Sequence, residues 1–449
     1  MTLHQRNIIE TCGFPKLEAN AGETLSLLKA ELIGDGTAKK NLATFCQTYE
    51  TPEVKELMGL SISKNMIDKD EYPETARIEE CCIHMIADLW NAPDAGNPAG
   101  TSTVGSSEAC MLGGLAMYWK WRERRQHDGL DWSNPNLVTG PVQVCWEKFC
   151  RYWDIELRQT PMAEGVYAAT PEQLLGLIDE NTIGIVSTFG LTFTGKYEPI
   201  EAICDALDEY EAQTGRSIKV HVDAASGGFL APFCAEEIRW DFRNPRVLSI
   251  SASGHKFGLA PLGCGWILWR SHDDLPERLI FHVNYLGGDE EVFQLNFSRP
   301  AGPVISQYFE FRRLGYEGYR RIHMHSYEIA QWLAKEIQQT GYFEMLSDGD
   351  PRESIPALSW RLAKEKSSVF NLYDLSVALR EKGWQVPAYS LPANAQTIVV
   401  QRILVRQDFT MSMAKLFMKD LHEALTCLDV IKMKASATQQ LEGGFNHAG

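Results

Sequence analysis

A series of short, mostly apolar runs constrains the fold of this chain most strongly. The runs alternate with stretches of helical spacing and lie at Asn136–Thr139, Gly184–Ser187, Ile218–Val222, Val247–Ile250 and Gly265–Trp269. Strands that helices cover on both faces are apolar on both sides, so they read as runs rather than as an alternation. Pro199–Thr214 has the spacing of a crossover helix between two of them. The pattern therefore predicts an α/β fold with a mainly parallel sheet.

Three regions are predicted along the 449 residues. Residues 1–39 contain one short helical pattern and are too few to hold a core alone, so we expect them to dock elsewhere. Residues 40–326 form the predicted large domain. Residues 327–449 form a predicted smaller α+β domain with a polar, mobile tail. Its elements are a strand at 357–362, a helix at 372–382, a strand at 397–405 and a helix at 413–428.

Composition and charge exclude several classes of partner. The chain is 44% hydrophobic and 23% charged, as in ordinary globular proteins. Its formal charge of -16 repels nucleic acid and anionic lipid. There is no run of about 18 apolar residues, and the first residues lack the pattern of a signal peptide. We therefore expect a cytoplasmic protein that binds neither nucleic acid nor membrane.

The cysteines and histidines do not form a metal-binding pattern. The eleven cysteines are scattered without a CxxC pair, which favours reduced core thiols. His323 and His325 are two residues apart, so on a helix they would point in different directions. The sequence therefore predicts no metal site.

The most informative motif is Ser251–Gly258, SASGHKFG, which directly follows the apolar run Val247–Ile250. Ligands of open α/β sheets bind beyond the carboxyl ends of the strands. A lysine enclosed there can lose its proton and act as a nucleophile. A lone lysine is more often a solvated surface residue, so the interpretation of Lys256 depends on its companions.

Two further motifs are such companions. Asp223 ends the run Ile218–Val222, so it would share a sheet edge with Lys256 and could pair with a protonated heterocycle nitrogen. A helix cap is the alternative role for this aspartate. Gly105–Glu108, GSSE, opens a helical run at 109–121. A helix start of this kind suits a phosphate, although serine before glutamate is also an ordinary helix start.

In chain order, the helix start, the aspartate and the lysine resemble a pyridoxal-phosphate enzyme of the aspartate aminotransferase fold (fold type I). The segments SASGHKFGLAPLGCGW, HVDAASGGFLAPF, TSTVGSSEACMLGG and NLATFCQT together resemble the bacterial and plant glutamate decarboxylases, from about Asn41 to Arg402. The resemblance implies pyridoxal 5'-phosphate as the cofactor. It also implies decarboxylation of L-glutamate to 4-aminobutyrate and CO2 through an external aldimine and a quinonoid, with consumption of one proton.

The resemblance assigns cofactor roles to individual residues. Lys256 is expected to carry the cofactor as a Schiff base and Asp223 to bind the ring nitrogen. His255 is expected to be a catalytic residue beside them. Phosphate ligands are expected to be Ser106, Ser107, Ser253, His255 and, from a neighbouring subunit, Ser298. The residues expected around the ring are Gln143 above it, Ala225 on its other face, and Thr192.

Substrate roles follow from the same resemblance. The distal carboxylate of glutamate is expected to be held by Thr44, Phe45, Asn65 and Asp68. Arg402 would receive the α-carboxylate, because a guanidinium matches the planar geometry of a carboxylate; a solvated salt bridge is its alternative role. Asp68 would have to be protonated or turned away from an anionic substrate, which fits activity at low pH. His447 resembles a near-terminal histidine that closes the active-site entrance in some bacterial relatives.

Part of this sequence evidence would also fit other functions. Another lyase or a transaminase would use the same cofactor residues, and a binding or scaffold protein could keep the fold without chemistry. The resemblance implies a homo-oligomer, with a dimer as the minimum and a hexamer as a further option, because the family's site is shared between subunits. Calmodulin is not expected as a partner, since the chain after Leu428 has only Lys432 and Lys434 as basic residues and no tryptophan.

Overall fold

A computed structural model of the chain describes residues 13–284, 290–366 and 370–442, the last twelve of these through their backbone alone. His447 and the end of the predicted tail lie outside the described residues. The α-helices of the described residues are α1 Ala21–Leu32, α2 Pro52–Leu60, α3 Pro73–Leu89, α4 Ser106–His127, α5 Val144–Tyr152, α6 Pro171–Leu175, α7 Ile200–Thr214, α8 Ala231–Cys234, α9 Gly302–Gln339, α10 Leu372–Glu381 and α11 Met411–Glu442.

The strands of the described residues form three sheets. They are β1 Ala99–Thr103, β2 Asn136–Thr139, β3 Glu156–Gln159, β4 Thr182–Thr188, β5 Val220–Asp223, β6 Val247–Ala252, β7 Gly265–Trp269, β8 Phe281–Val283, β9 Glu290–Val292, β10 Phe343–Asp348, β11 Ala357–Leu362, β12 Ala388–Ser390 and β13 Val399–Leu404. All five apolar runs of the sequence contain or overlap a strand.

The largest sheet has seven strands in the order β1-β7-β6-β5-β4-β2-β3. Strands β3, β2, β4, β5 and β6 pair in parallel, and β7 runs antiparallel to both of its neighbours. The prediction of a mainly parallel sheet is therefore confirmed. The inner strands β4, β5 and β6 are buried along their whole length, because helices cover both faces of the sheet.

The direction of β7 follows from its connection to β6. A parallel return needs a crossover that passes over the sheet, usually a helix. Residues 253–264, here called the lysine loop, contain no helix and stay at the carboxyl end of β6. The chain therefore returns beside β6 in the opposite direction, with Ala252 paired to Trp266.

The second core lies in the C-terminal part of the chain. Strands β10, β11, β13 and β12 form an antiparallel sheet in that order, as expected for the smaller α+β unit. Residues of α9, α10 and α11 pack on it, among them Leu333, Leu375 and Leu421. Leu42 also belongs to this core and pairs through its backbone with Gln385 and Leu404. The segment after residue 40 therefore packs against the C-terminal core.

Helix α9 connects the two cores and crosses residue 326, the predicted domain limit. Its first half packs behind the lysine loop, and its second half enters the C-terminal core through Ile329 and Ile337. The helix changes direction at Gly315, whose φ of 56° lies in the left-handed region that glycine tolerates. The domain limits themselves stay a prediction.

Helix α1 lacks contact with either core. None of its residues is buried, and Leu25, Leu28 and Leu32, which share one face, are 52%, 53% and 65% exposed. The side chain of Asn20 caps its first turn through the N–H groups of Gly22 and Glu23. The helix is therefore well formed locally but presents an apolar face to its surroundings.

Candidate active site

The carboxyl ends of β5 and β6 meet at one edge of the large sheet and open into a cavity of about 290 Å³. Asp223 is the last residue of β5, and the lysine loop begins directly after β6. The cavity wall contains eight of the predicted site residues, namely Ser106, Ser107, Gln143, Thr192, Asp223, Ala225, His255 and Lys256. Residues from the ends of several strands and helices thus converge on one pocket, as is usual in open α/β sheets.

Lys256 provides the only lysine amine among the residues described in this cavity wall. Its Nζ lies 3.4 Å from Ser226 Oγ and 4.9 Å from the ring centroid of Phe45. Burial lowers the pKa of Lys256, and the nearby negative charge of Asp223 partly offsets this effect. A lowered pKa makes the neutral amine, which is the nucleophilic form, easier to reach.

The lysine loop is supported from behind by α9. Gly258 O accepts hydrogen bonds from Gln307 Nε2 and from the Tyr319 hydroxyl, both at 2.7 Å. Leu259 has a φ of 66°, which is unusual for a leucine and must be held by its surroundings. The two bonds to Gly258 fix the loop on the side away from the cavity, so Lys256 is presented on a rigid support.

Asp223 is fixed by two donors. Trp146 Nε1 donates to Oδ2 at 2.9 Å, and the Ala225 N–H donates to Oδ1 at 3.1 Å. The residue is only 3% exposed. Hydrogen bonds from two donors set the orientation of a carboxylate. Asp223 can therefore present a fixed carboxylate to a protonated ring nitrogen in the cavity.

The opposite part of the wall is the N-terminus of α4, a helix of 22 residues. Its N-cap residue, Gly105, has no side chain, so the N–H groups of the first turn are open to an anion. Ser253 Oγ donates to Ser106 Oγ at 2.7 Å, which places the two predicted phosphate ligands side by side. The Glu108 carboxylate accepts hydrogen bonds from the N–H groups of Val104 and Asn296, which partly compensate its negative charge.

His255 borders the same anion site. Its Nδ1 accepts the Cys264 N–H at 3.2 Å, which leaves the proton of the neutral ring on Nε2. Burial and the adjacent Lys256 lower the pKa of His255 to about 4. The imidazole is therefore a neutral donor at ordinary pH. Gly105 must lack a side chain here, because a Cβ would lie 2.9 Å from the His255 ring.

Arg402, on β13, reaches toward this site from the C-terminal core. Its guanidinium carbon lies 4.4 Å from the Phe45 ring centroid, so the same ring contacts Arg402 and Lys256. The guanidinium donates to the carbonyl oxygens of Thr192 and Ala43. Its buried Nε finds no acceptor among the described residues, so the group keeps capacity for a ligand. Burial also lowers the pKa of Arg402.

Seven predicted site residues are absent from the described wall of the cavity. Four of them contact or adjoin residues close to it, namely Thr44, Phe45, Ser253 and Arg402, whereas Asn65, Asp68 and Ser298 form a separate group. Asn65 Nδ2 donates to Ser298 Oγ at 3.3 Å, and Asn65 also forms an isolated antiparallel bridge with Pro300. Residues 65–68 and 298–300 are called the outer strip below. Of the remaining predicted residues, Thr44 Oγ1 accepts the Cys46 N–H and shapes the backbone next to Phe45.

Sequence reasoning missed several residues around Asp223 and the adjacent strand β4. Trp146 and Cys145 follow the predicted Gln143 and could have been suspected from their place at a helix start. Glu198 had no such signal. It is buried, and its carboxylate accepts the Thr188 N–H at 2.6 Å and the Ser187 hydroxyl at 3.0 Å. Burial raises the pKa of Glu198 to about 7.

The cavity fits pyridoxal phosphate. The ligand has an aldehyde for an amine, a ring nitrogen for a carboxylate and a phosphate for helix N–H groups and hydroxyls. Lys256, Asp223 and the first turn of α4 supply these three partners around one pocket. Gln143 and Ala225 also line it, as expected for residues beside the ring, although the Gln143 Oε1 accepts the Cys145 N–H in the present arrangement.

Comparisons with known proteins agree with this architecture. The conserved domain described as "Pyridoxal-dependent decarboxylase conserved domain" matches residues 28–363. Glutamate decarboxylase of Aliivibrio fischeri is 51% identical over 96% of this chain and 93% of its own length. Glutamate decarboxylase of Lactococcus lactis subsp. lactis is 48% identical over 90% and 86%.

Solved structures give the same result. Lactobacillus brevis glutamate decarboxylase superposes with a TM-score of 0.90 at 45% identity, covering 93% of this chain and 95% of that chain. A sphingosine-1-phosphate lyase from Burkholderia pseudomallei, at 20% identity and a TM-score of 0.77, shares the fold over 97% of both chains. The expected fold type is thus confirmed. The chain belongs to the pyridoxal-dependent decarboxylase family, whose cofactor is pyridoxal phosphate, and within it to the glutamate decarboxylases.

Proposed function

We propose that this protein converts L-glutamate to 4-aminobutyrate and CO2 with pyridoxal phosphate, and that each turnover consumes one proton. The observation that carries the proposal is the meeting of Lys256 and Arg402 at the ring of Phe45. The amine is the attachment point of the cofactor, and the guanidinium is a receptor for a carboxylate. An α-amino acid that bound there would present its amino and carboxyl groups to these two residues.

Different residues of the cavity would bind different parts of the cofactor. Asp223 would keep the ring nitrogen protonated, while the first turn of α4 with Ser106, Ser107 and the neutral His255 would hold the phosphate. When bound, the cofactor supplies an electron-accepting ring that takes up the electron pair left on Cα when CO2 departs. Trp146 and Ala225 hold the Asp223 carboxylate in place for this role.

Arg402 would select the bond that breaks. A guanidinium that grips the α-carboxylate fixes the rotation about the Cα–N bond, and the bond perpendicular to the ring breaks most easily. The neighbouring Phe45 ring, 4.4 Å from the guanidinium carbon, would help to keep water from the same point. Lys256, once freed from the cofactor and protonated, would be placed to return that proton to Cα.

The distal carboxylate of the substrate requires residues beyond the cavity wall. Asn65, Asp68 and Ser298 lie together in the outer strip, and Ser298 is exposed. We propose that the outer strip of one subunit contributes to the cavity of its partner, where Ser298 meets the phosphate and Asn65 and Asp68 meet the distal end of glutamate. Thr44 and Phe45 would act on the same end from within the chain.

A homo-oligomer, with a dimer as the minimum, is part of this proposal. Helix α1 supports it, because the exposed face with Leu25, Leu28 and Leu32 would be covered by a second copy of the chain. Replacing these three leucines by serine should weaken the dimer in sedimentation velocity. The matched control is serine substitution of Thr24, which donates to Asn20 O on the same helix. An unchanged sedimentation coefficient in the triple variant would contradict a role of α1 in assembly.

None of the described helices has the length and apolarity needed to cross a membrane. We propose a location in the cytoplasm without nucleic acid as a partner, on the basis of the acidic composition. We also propose that residues 429–449 do not bind calmodulin, because Lys432 and Lys434 are their only lysines or arginines and they contain no tryptophan. Cell fractionation with an antibody to the native chain tests this location.

The function is tested with purified protein and four amino acids. CO2 release should occur from glutamate and not from aspartate, tyrosine or lysine. Borohydride treatment of the loaded protein should place a reduced cofactor adduct on Lys256, as located by peptide mass spectrometry. Release of CO2 from another of these amino acids in preference to glutamate, or formation of a keto acid, would refute the proposed reaction.

A further inference from the structure

Three donor side chains that the proposed reaction does not use as a set meet behind the cofactor pocket. They are Cys110 on α4, Cys145 on α5 and Asp223 at the end of β5, and their ligand atoms lie within 4.8 Å of one another. All three residues are buried. We propose that, in the absence of the cofactor, these residues form a binding site for a thiophilic divalent cation such as Zn²⁺, which competes with pyridoxal phosphate for Asp223.

The donor set selects the class of metal. Two thiolates and one carboxylate suit Zn²⁺ or Cd²⁺, whereas Mg²⁺ and Ca²⁺ prefer sites made of oxygen ligands alone. The three residues belong to two different helices and a strand, so their convergence does not depend on a loop. This site departs from the prediction that the cysteines of the chain serve only as core thiols.

The cavity provides the entry path and the open coordination position. Cys145 and Asp223 both line it, and Cys110 lies directly behind them, 3.3 Å from Ser251 Oγ. A cation that reaches Asp223 through the empty pocket would keep one position for water, which completes a tetrahedron. The bonds from Trp146 and Ala225 already orient the carboxylate toward this point, one to each oxygen.

Charge balance links the site to Lys256. Binding of Zn²⁺ to two thiols and one carboxylate releases two protons and leaves a net charge of minus one. Negative charges on Asp223, Cys145 and Cys110 all stabilise the protonated amine of Lys256, which is free when the cofactor is absent. Because the two thiols lose their protons on binding, zinc uptake should strengthen as the pH rises.

The cation and the cofactor exclude each other because both need the same carboxylate. The ring nitrogen would occupy Asp223 in the loaded protein, whereas the cation would occupy it in the apoprotein. This competition rests on the proposed placement of the cofactor, but metal uptake by the apoprotein does not. A cell short of cofactor would thus hold the chain in a metal-bound form that regains activity only when the metal leaves.

The test uses the full-length apoprotein and Zn²⁺ alone in equilibrium dialysis. We expect one Zn²⁺ per chain, tighter binding at higher pH, and release when pyridoxal phosphate is added. Cd²⁺ should give thiolate charge-transfer absorption in the ultraviolet. Cys145→Ser and Cys110→Ser should each weaken binding at least about tenfold. Cys204→Ser, which alters a buried cysteine on α7, is the matched control and should bind Zn²⁺ normally.

Several results would overturn the site. They are failure of the wild-type apoprotein to retain zinc, equal zinc binding by the loaded protein, and equal losses in the Cys204→Ser control. The wild-type competition arm needs no variant, so a folding defect in Cys145→Ser cannot obscure the answer. Zinc that bound through both cysteines without slowing recovery of the visible cofactor spectrum would refute the shared use of Asp223.

Discussion

The cavity edge and the outer strip contain residues that the sequence assigns to a single site, but the chain builds the two regions differently. Around Asp223 and Lys256 every group is anchored by buried partners of the same chain. In the outer strip, the side chain of Asn65 bonds to Ser298 and to the Arg299 N–H, Asn65 is only partly buried, and Ser298 is exposed. The contrast supports the proposal that most residues around the cofactor come from one chain, whereas the outer strip acts in the cavity of a partner.

Among substitutions at the cavity edge, removal of the Lys256 amine should lower activity most. Lys256→Ala should lower kcat/KM at least about 10³-fold, because the attachment point of the cofactor and the candidate proton donor disappear together. CO2 release from glutamate is the measurement. Lys196→Ala, which removes a half-buried lysine outside the cavity, should keep activity near that of the wild type. Equal losses in both variants would mean that Lys256 has no special role.

Mixed dimers sharpen the comparison between the two regions. Lys256→Ala and Asn65→Ala chains should each be nearly inactive alone, yet a mixture refolded or exchanged in equal amounts should regain about a quarter of wild-type activity. This value follows because half of the dimers are mixed and one of their two sites then has both residues intact. The measurement is CO2 release after subunit exchange. If Asn65 served its own chain, mixing would restore nothing.

The buried carboxyl group of Glu198, beside the end of β4, should make the free energy of unfolding depend on pH. Its folded pKa of about 7 lies above the ordinary value of 4.5, so the folded chain holds a proton that the unfolded chain releases between these values. The contribution of Glu198 to the free energy of unfolding should therefore be greatest below pH 4.5 and fall by about 3 kcal/mol as the pH rises to 7.

Glu198→Gln should lose this contribution to the pH dependence, measured as the difference in urea unfolding free energy between pH 4.5 and pH 7. Glu201→Gln, which alters a partly exposed carboxylate on α7, is the control and should keep the wild-type slope. An identical slope in wild type and Glu198→Gln would contradict the raised pKa.

The smallest expected effect concerns the donor to Asp223. Trp146→Phe keeps the ring but removes the Nε1–H that bonds the carboxylate, so kcat/KM should fall about tenfold, as for loss of one hydrogen bond to a charged group. The visible spectrum and affinity of the cofactor should change as well, which a purely structural role would not require. Trp153→Phe, near the end of the same helix, serves as the control. Matching effects in both variants would contradict a specific role of Trp146.

Much of the fold followed from local pattern. The fully buried strands gave apolar runs, and Asp223 and Lys256 were placed correctly because parallel strands end at the same edge. The antiparallel direction of β7 was not predicted, since apolar runs carry no sign of direction. It depends on the lysine loop, which lacks a crossover helix.

The site was predictable where a motif is continuous and unpredictable where distant segments meet. Trp146 reaches Asp223 across 77 residues of sequence, and Glu198 is defined by its burial under the neighbouring backbone. The meeting of Cys110 with Cys145 likewise depends on how α4 and α5 pack. The outer strip shows the same limit, since the role proposed for it depends on the surface of a second chain.

The course of α9 has a mechanical consequence. The first half of α9 binds the Gly258 carbonyl behind Lys256. Its second half is packed in the C-terminal core, whose strand β13 carries Arg402. Helix α9 therefore couples the support of Lys256 to the position of Arg402, in addition to the bond from Arg402 to the Thr192 carbonyl. A change in the bend at Gly315 would shift the amine relative to the guanidinium and thereby the fit of the α-amino and α-carboxyl groups proposed to bind there.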